Sequence, residues 1–123
     1  MFKIFSMFIL LYSKCLFADD FIVGKWHGKS NSNEHVYSLD VIKSGHDMLL
    51  SYVFIYDGGR KINDQTSKKI LLKKASEQCW NGEVSDFFNE EKTMILLCKQ
   101  DNSLIWKTEF PILYVPQSEV FIE

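Results

Sequence analysis

The chain has 123 residues, 14 basic and 16 acidic side chains for a formal charge of −2, and 46% hydrophobic residues, the composition of a single globular domain. This mildly acidic balance argues against nucleic acid and against anionic membrane surfaces as partners. Three cysteines and three histidines, at no ligand-like spacing, imply no metal and no cofactor.

Met1-Phe2-Lys3 gives a basic start, Ile4 to Tyr12 is almost unbroken apolar sequence, and Leu16-Phe17-Ala18 ends on a small residue. That is the layout of a secretory signal peptide over residues 1–18. The run is shorter than the roughly 20 apolar residues of a membrane-spanning helix. Removing 18 of 123 residues leaves 105, Asp19 to Glu123, as a single β-domain at residues 19–123. Lys3 and Lys14 leave with the leader, so 12 basic side chains face 16 acidic ones and the mature charge is −4. No second run is long enough to span a membrane, and the expected location is periplasmic or secreted. Cys15 is also lost, leaving Cys79 and Cys98 as an even pair in an oxidising compartment, which favours a disulfide.

The mature chain opens on Gly24-Lys25-Trp26-His27-Gly28, a first strand whose indole fills one end of an interior and whose glycines allow bending or close approach. In His35 to Lys43, Tyr37, Leu39 and Val41 alternate with Ser38 and Asp40, the period of a half-buried strand. Ser44-Gly45-His46-Asp47 turns the chain into Met48 to Tyr56, with Leu50, Tyr52, Phe54 and Tyr56 on one face as core. Asp57-Gly58-Gly59-Arg60 reads as a hairpin turn, because adjacent glycines supply positive φ angles. A short strand at 60–63, one at 69–75, and a pair at 79–86 and 92–99 follow. Lys68, Lys69, Lys73 and Lys74 read as a solvated, edge-protecting face. Leu104 to Thr108 is the last firm strand. Pro111 and Pro116 then mark an irregular tail, with Val120-Phe121-Ile122 as a final edge. The pattern is all-β: an antiparallel meander of seven to eight strands, forming a small barrel or a sandwich.

A hairpin turning between Phe88 and Asn89 sets Cys79 opposite Cys98, Trp80 opposite Leu97 and Val84 opposite Thr93. A directly opposed, non-hydrogen-bonded pair brings the two sulfurs within bonding reach. The tip of that hairpin, Asp86-Phe87-Phe88-Asn89-Glu90-Glu91, sets two aromatics among acids where a turn is ordinarily polar. Phe87 and Phe88 are therefore candidate partner-binding anchors, and Asp57 and Arg60 of the 57–60 turn are further candidates. Folding back of these rings into the barrel mouth is the structural alternative. His27, His35 and His46 read as surface histidines. No nucleophile sits in a recognisable frame, so an enzyme is not expected.

Gly24-x-Trp26 is similar to the G-x-W that begins lipocalin-like barrels. Gly58-Gly59-Arg60, Leu104-Ile105-Trp106 and Tyr114-Val115-Pro116 follow in an order that resembles a group of small exported bacterial lipocalin-like β-proteins. The resemblance implies export and a barrel, not an activity. The chain is shorter than a true lipocalin and lacks its C-terminal helix, which implies a filled interior. Size, export and an internal disulfide also look like periplasmic inhibitors of cell-wall lytic enzymes and immunity proteins against toxins. The expectation is an exported protein that binds and occludes another protein. The second expectation is a small carrier of an apolar ligand, with a cavity beneath Trp26.

Overall fold

The computed structural model describes residues 21–88 and 90–123; the expected signal peptide at 1–18 lies outside them. Among the described residues nine strands form: β1 Gly24–Gly28, β2 Val36–Ser44, β3 Asp47–Tyr56, β4 Lys61–Asp64, β5 Ile70–Ser76, β6 Cys79–Ser85, β7 Lys92–Gln100, β8 Ser103–Thr108 and β9 Ser118–Ile122. The described residues contain no α-helix, only a 3₁₀ turn at Asp57–Gly59.

The nine strands make one antiparallel sheet that closes on itself, so the architecture is a barrel and not a sandwich. Around the barrel the order is β1, β2, β3, β5, β6, β7, β8, β9 and back to β1, with β4 as an extra strand against the second half of β3. The final strand differs from the expected edge. Phe121 pairs with Leu104 on one side and Gly28 on the other, so β9 is the stave that closes the barrel. Closure removes the free edges that an open sheet must protect.

Alternation assigns the inward face as the sequence pattern requires. Tyr37, Leu39 and Val41 of β2 are buried, as are Met48, Leu50, Tyr52 and Phe54 of β3. Their rings meet those of β8 and β9 across the interior. Tyr52 stacks on Phe54 at 4.9 Å between centroids, Phe54 meets Trp106 edge-on at 5.4 Å, and Trp106 lies 5.8 Å from Phe121. Full burial of a side chain of this size stabilises by about 1.5–3 kcal/mol.

One end of the barrel is shut by short turns and aromatic rings. Ser44 pairs with Asp47, Ser76 with Cys79 and Gln100 with Ser103, so each of these three hairpins has a two-residue connection. Trp26 is 1% exposed and its indole N–H donates to the carbonyl of Ile22 at 2.9 Å. Phe21 packs edge-on to Trp80 at 5.3 Å, and the Lys99 ammonium lies 5.8 and 5.9 Å from the Phe21 and Trp26 ring centres.

Both glycines of the opening motif are needed. Gly24 has φ of 143°, which side chains rarely adopt, and a Cβ at Gly28 would lie 2.6 Å from Asn31 Oδ1. That close approach lets the Asn31 side chain act as a strand. Its oxygen accepts from Tyr37 N at 2.8 Å, and its amide donates to Tyr37 O at 3.2 Å.

The Cys79–Cys98 disulfide is formed, in the expected register. Their Cα atoms are 4.1 Å apart, and Lys99 N donates to Gln78 O in the adjoining pair, so the cysteines occupy a non-hydrogen-bonded position. Trp80 opposes Leu97 and Val84 opposes Thr93.

Candidate functional site

The opposite end carries the long connections, and the hairpin tip between β6 and β7 projects there. Its backbone is fixed by its own first residue. Asp86 is 4% exposed, and its Oδ1 accepts from the N–H groups of Phe88 and Glu90, both at 3.0 Å. A short side chain that satisfies two turn amides favours the turn at Phe88 and Glu90. Asp86 N also donates to Glu91 O at 3.1 Å, closing the base of the loop.

The two rings on this loop face outward. Phe87 is 41% and Phe88 62% exposed, and they pack edge-on at 4.6 Å. Neither is withdrawn into the barrel mouth. Phe87 rests against Tyr114 at 6.0 Å, and Tyr114 in turn lies 5.7 Å from Tyr56. Tyr56 precedes Asp57, so Tyr114 links the tip to the turn that carries Asp57 and Arg60. Both of those residues are exposed, and Arg60 N donates to Asp57 O at 3.3 Å. Phe110 and Leu113, on the connection from β8 to β9, add two more exposed apolar side chains at this end.

The sequence reading missed Tyr114 as a bridge between these loops. It sits at φ of 60°, an uncommon conformation for a bulky residue. Its carbonyl accepts from Asn63 Nδ2 at 3.0 Å. No local periodicity marks such a residue.

Beneath the loops lies a polar seam. β5 pairs with β3 only at Met48–Leu50, and its pairing with β6 stops at Asn81, so at this end β3 and β4 are joined to β6 by side chains. Tyr52 Oη accepts from Ser85 N at 2.9 Å and donates to Ser85 O at 3.3 Å, standing in for a neighbouring strand. Asn63, fully buried, donates to both Ser85 O and Tyr114 O at 3.0 Å. Gln65 Nε2 donates to Asn63 Oδ1 at 2.9 Å and to Asp86 O at 3.4 Å. Among the described residues every buried side-chain polar atom has a partner. The seam is thus fully satisfied, and it anchors the base of the tip.

Burial raises the Tyr52 hydroxyl above its ordinary range, with the Ser85 hydrogen bonds opposing the shift. Burial also pushes up Tyr37 and, more strongly, Tyr56, whose hydroxyl is tied further by its hydrogen bond to Tyr37. None of these groups is a base near neutral pH.

His35 is the histidine with the most built surroundings. It stacks on Tyr37 at 4.5 Å, and its Nε2 lies 2.9 Å from Ser30 Oγ. Ser30 donates to Glu119 Oε2, so the hydroxyl proton points to the carboxylate and not to the imidazole. In a nucleophilic serine the imidazole takes that proton and the acid orients the far ring nitrogen. The present order is different, and it pins the 29–35 loop to β9. His27 and His46 are exposed. Among the described residues no three His, Cys, Asp or Glu side chains converge as a metal site, and no helix is long and apolar enough to cross a membrane. Comparisons with protein families, curated proteins and solved structures find no match to this chain.

Proposed function

We propose that this chain is an exported protein-binding barrel, an inhibitor or immunity protein that occludes a toxin or a cell-wall-degrading enzyme through its loop end. The observation that carries this reading is the Phe87-Phe88 pair, exposed beside a buried Asp86 that accepts from the amides of Phe88 and Glu90. Exposed aromatics on a preorganised loop bind with little ordering cost, which is how a small domain achieves tight occlusion. The Cys79–Cys98 bridge supports an oxidising compartment, hence the periplasm or the exterior. The rings that fill the interior favour the loops over the barrel core as the working surface.

The test is affinity capture from periplasmic extract with the disulfide intact, comparing the native chain with a Phe87→Ser, Phe88→Ser variant. The reading expects a partner retained by the native chain and released by the variant, with both unfolding at the same temperature. A partner held equally by both, or none at all, overturns it.

A further inference from the structure

The topology also builds a concave site on the outside of the barrel, away from the tip. β3 loses β5 as a neighbour after Leu50 and gains β4 only at Val53. The chain linking β4 to β5 crosses this gap, pinned by Gln65 N donating to Tyr52 O at 2.8 Å. It forms a raised wall beside the outer faces of β1 and β2, and between them lies an open groove of about 390 Å³. That volume falls within the range of small-molecule sites.

The floor sets two small polar residues among apolar ones, Ile42 and Val53. Ser38 and Ser51 face outward from β2 and β3, and Ser51 is only 7% exposed because the wall overhangs it. Bases stand on both sides, with Lys25 and His27 on β1 and Lys69 at the end of the wall. The one acid, Asp40, is directly opposite Lys25 across the ladder, which offsets it. Two lysines to one aspartate is the reverse of the charge balance of the whole chain, where 14 basic side chains face 16 acidic ones. The wall is rigid, because Asp64 Oδ1 accepts from both the amide and the hydroxyl of Thr66, at 3.0 and 2.7 Å. These bonds hold the Asp64 carboxyl below its ordinary range, so it remains a charged acceptor and Thr66 stays in place at the groove.

We propose that this groove binds a small anionic sugar, with a phosphate or carboxylate at Lys69 and its hydroxyls over Ser38, Ser51 and Thr66. Basic side chains recognise the anion as point charges, and serine and threonine hydroxyls both donate to and accept from sugar hydroxyls. The site is independent of the loop-end reading and stands if that reading fails.

The experiment is an amide-shift titration of the intact, disulfide-bonded protein by heteronuclear NMR. The probes are glucose 6-phosphate, glucuronate, inorganic phosphate and glucose. Saturable shifts at Ser38, Ser51 and Thr66 are expected with at least one anionic sugar, at about millimolar affinity for so open a site. Whether the sugar phosphate or the uronate binds tighter identifies the anionic group. Lys69→Ala should weaken binding about tenfold, as loss of one charge-assisted contact does, while Lys107→Ala on β8 should leave it unchanged. Absence of saturable shifts with both anionic sugars overturns the proposal. So does equal binding by the Lys69→Ala protein, or by inorganic phosphate alone, or by neutral glucose.

Discussion

The two ends of the barrel are built on opposite principles. At the closed end three hairpins turn in two residues each, and Trp26, Phe21 and Trp80 cover the interior with apolar surface. At the loop end the connections run through 29–35, 57–60, 86–91 and 109–117, and the strands are tied by the side chains of Tyr52, Asn63 and Gln65. Apolar burial tolerates no opening without loss of area, whereas a hydrogen-bonded seam contributes little net energy and much geometric definition. The difference separates stability from presentation: one end holds the fold, and the other displays Phe87 and Phe88.

That separation is broken most severely at Trp26. Trp26→Ala should destabilise by about 3–5 kcal/mol, the cost of deleting a large buried ring and leaving a cavity, measured by chemical denaturation. A loss below 1 kcal/mol would show that the closed end is not the stabilising one. Reducing Cys79–Cys98, which are 19 residues apart, should cost about 3 kcal/mol by release of a constrained unfolded chain. Mass spectrometry of non-reduced peptides checks that the bridge is present.

At the loop end Asn63→Ala should cost about 1–3 kcal/mol, since Ser85 O and Tyr114 O each lose a donor and Gln65 loses an acceptor. Hydrogen exchange should then rise at Asp86, Phe88 and Glu90 well before it rises at Trp26 or Leu39. Uniform acceleration across the barrel would mean that the ends are not separable.

Alkali probes the same end. The folded forms of Tyr37, Tyr52 and Tyr56 hold their protons more tightly than the unfolded chain does. Their contribution is therefore complete below the unfolded tyrosine value of about 10, and is lost as pH rises above it. Tyrosinate absorbance at 295 nm should stay low for these three side chains until the protein unfolds. Smooth titration while the fold persists would contradict their burial.

The smallest expected effect on stability is at Phe88. Phe88→Ala should stay within about 0.5 kcal/mol of the native chain, as exposed substitutions do. Partner binding should fall by at least about 2 kcal/mol at the same time.

Much of the fold was legible in local patterns. Alternation in Val36–Ser44 and Asp47–Tyr56 placed Tyr37, Leu39, Leu50 and Phe54 inside, because a strand presents every second residue to one face. Counting back from the tip placed Cys79 against Cys98, because a hairpin register follows from its turn. β4 carries a polar residue on its buried face. Ile62 faces solvent and Asn63 is buried, since the inward position there must reach Ser85 and Tyr114 rather than fill apolar space.

Local sequence accounts for the strand set, the inward face of β2 and β3, the disulfide and the unusual aromatic tip. Each rests on residues close in the chain or on a single turn. Tertiary structure alone decided barrel over sandwich, through β9 pairing with β1, and placed Tyr114 between the tip and the 57–60 turn. It also brought Glu119 to Ser30, 89 residues away, and Lys69 to the groove that Lys25 also lines. Such contacts depend on how the sheet closes and where β5 leaves β3, and no local period encodes either.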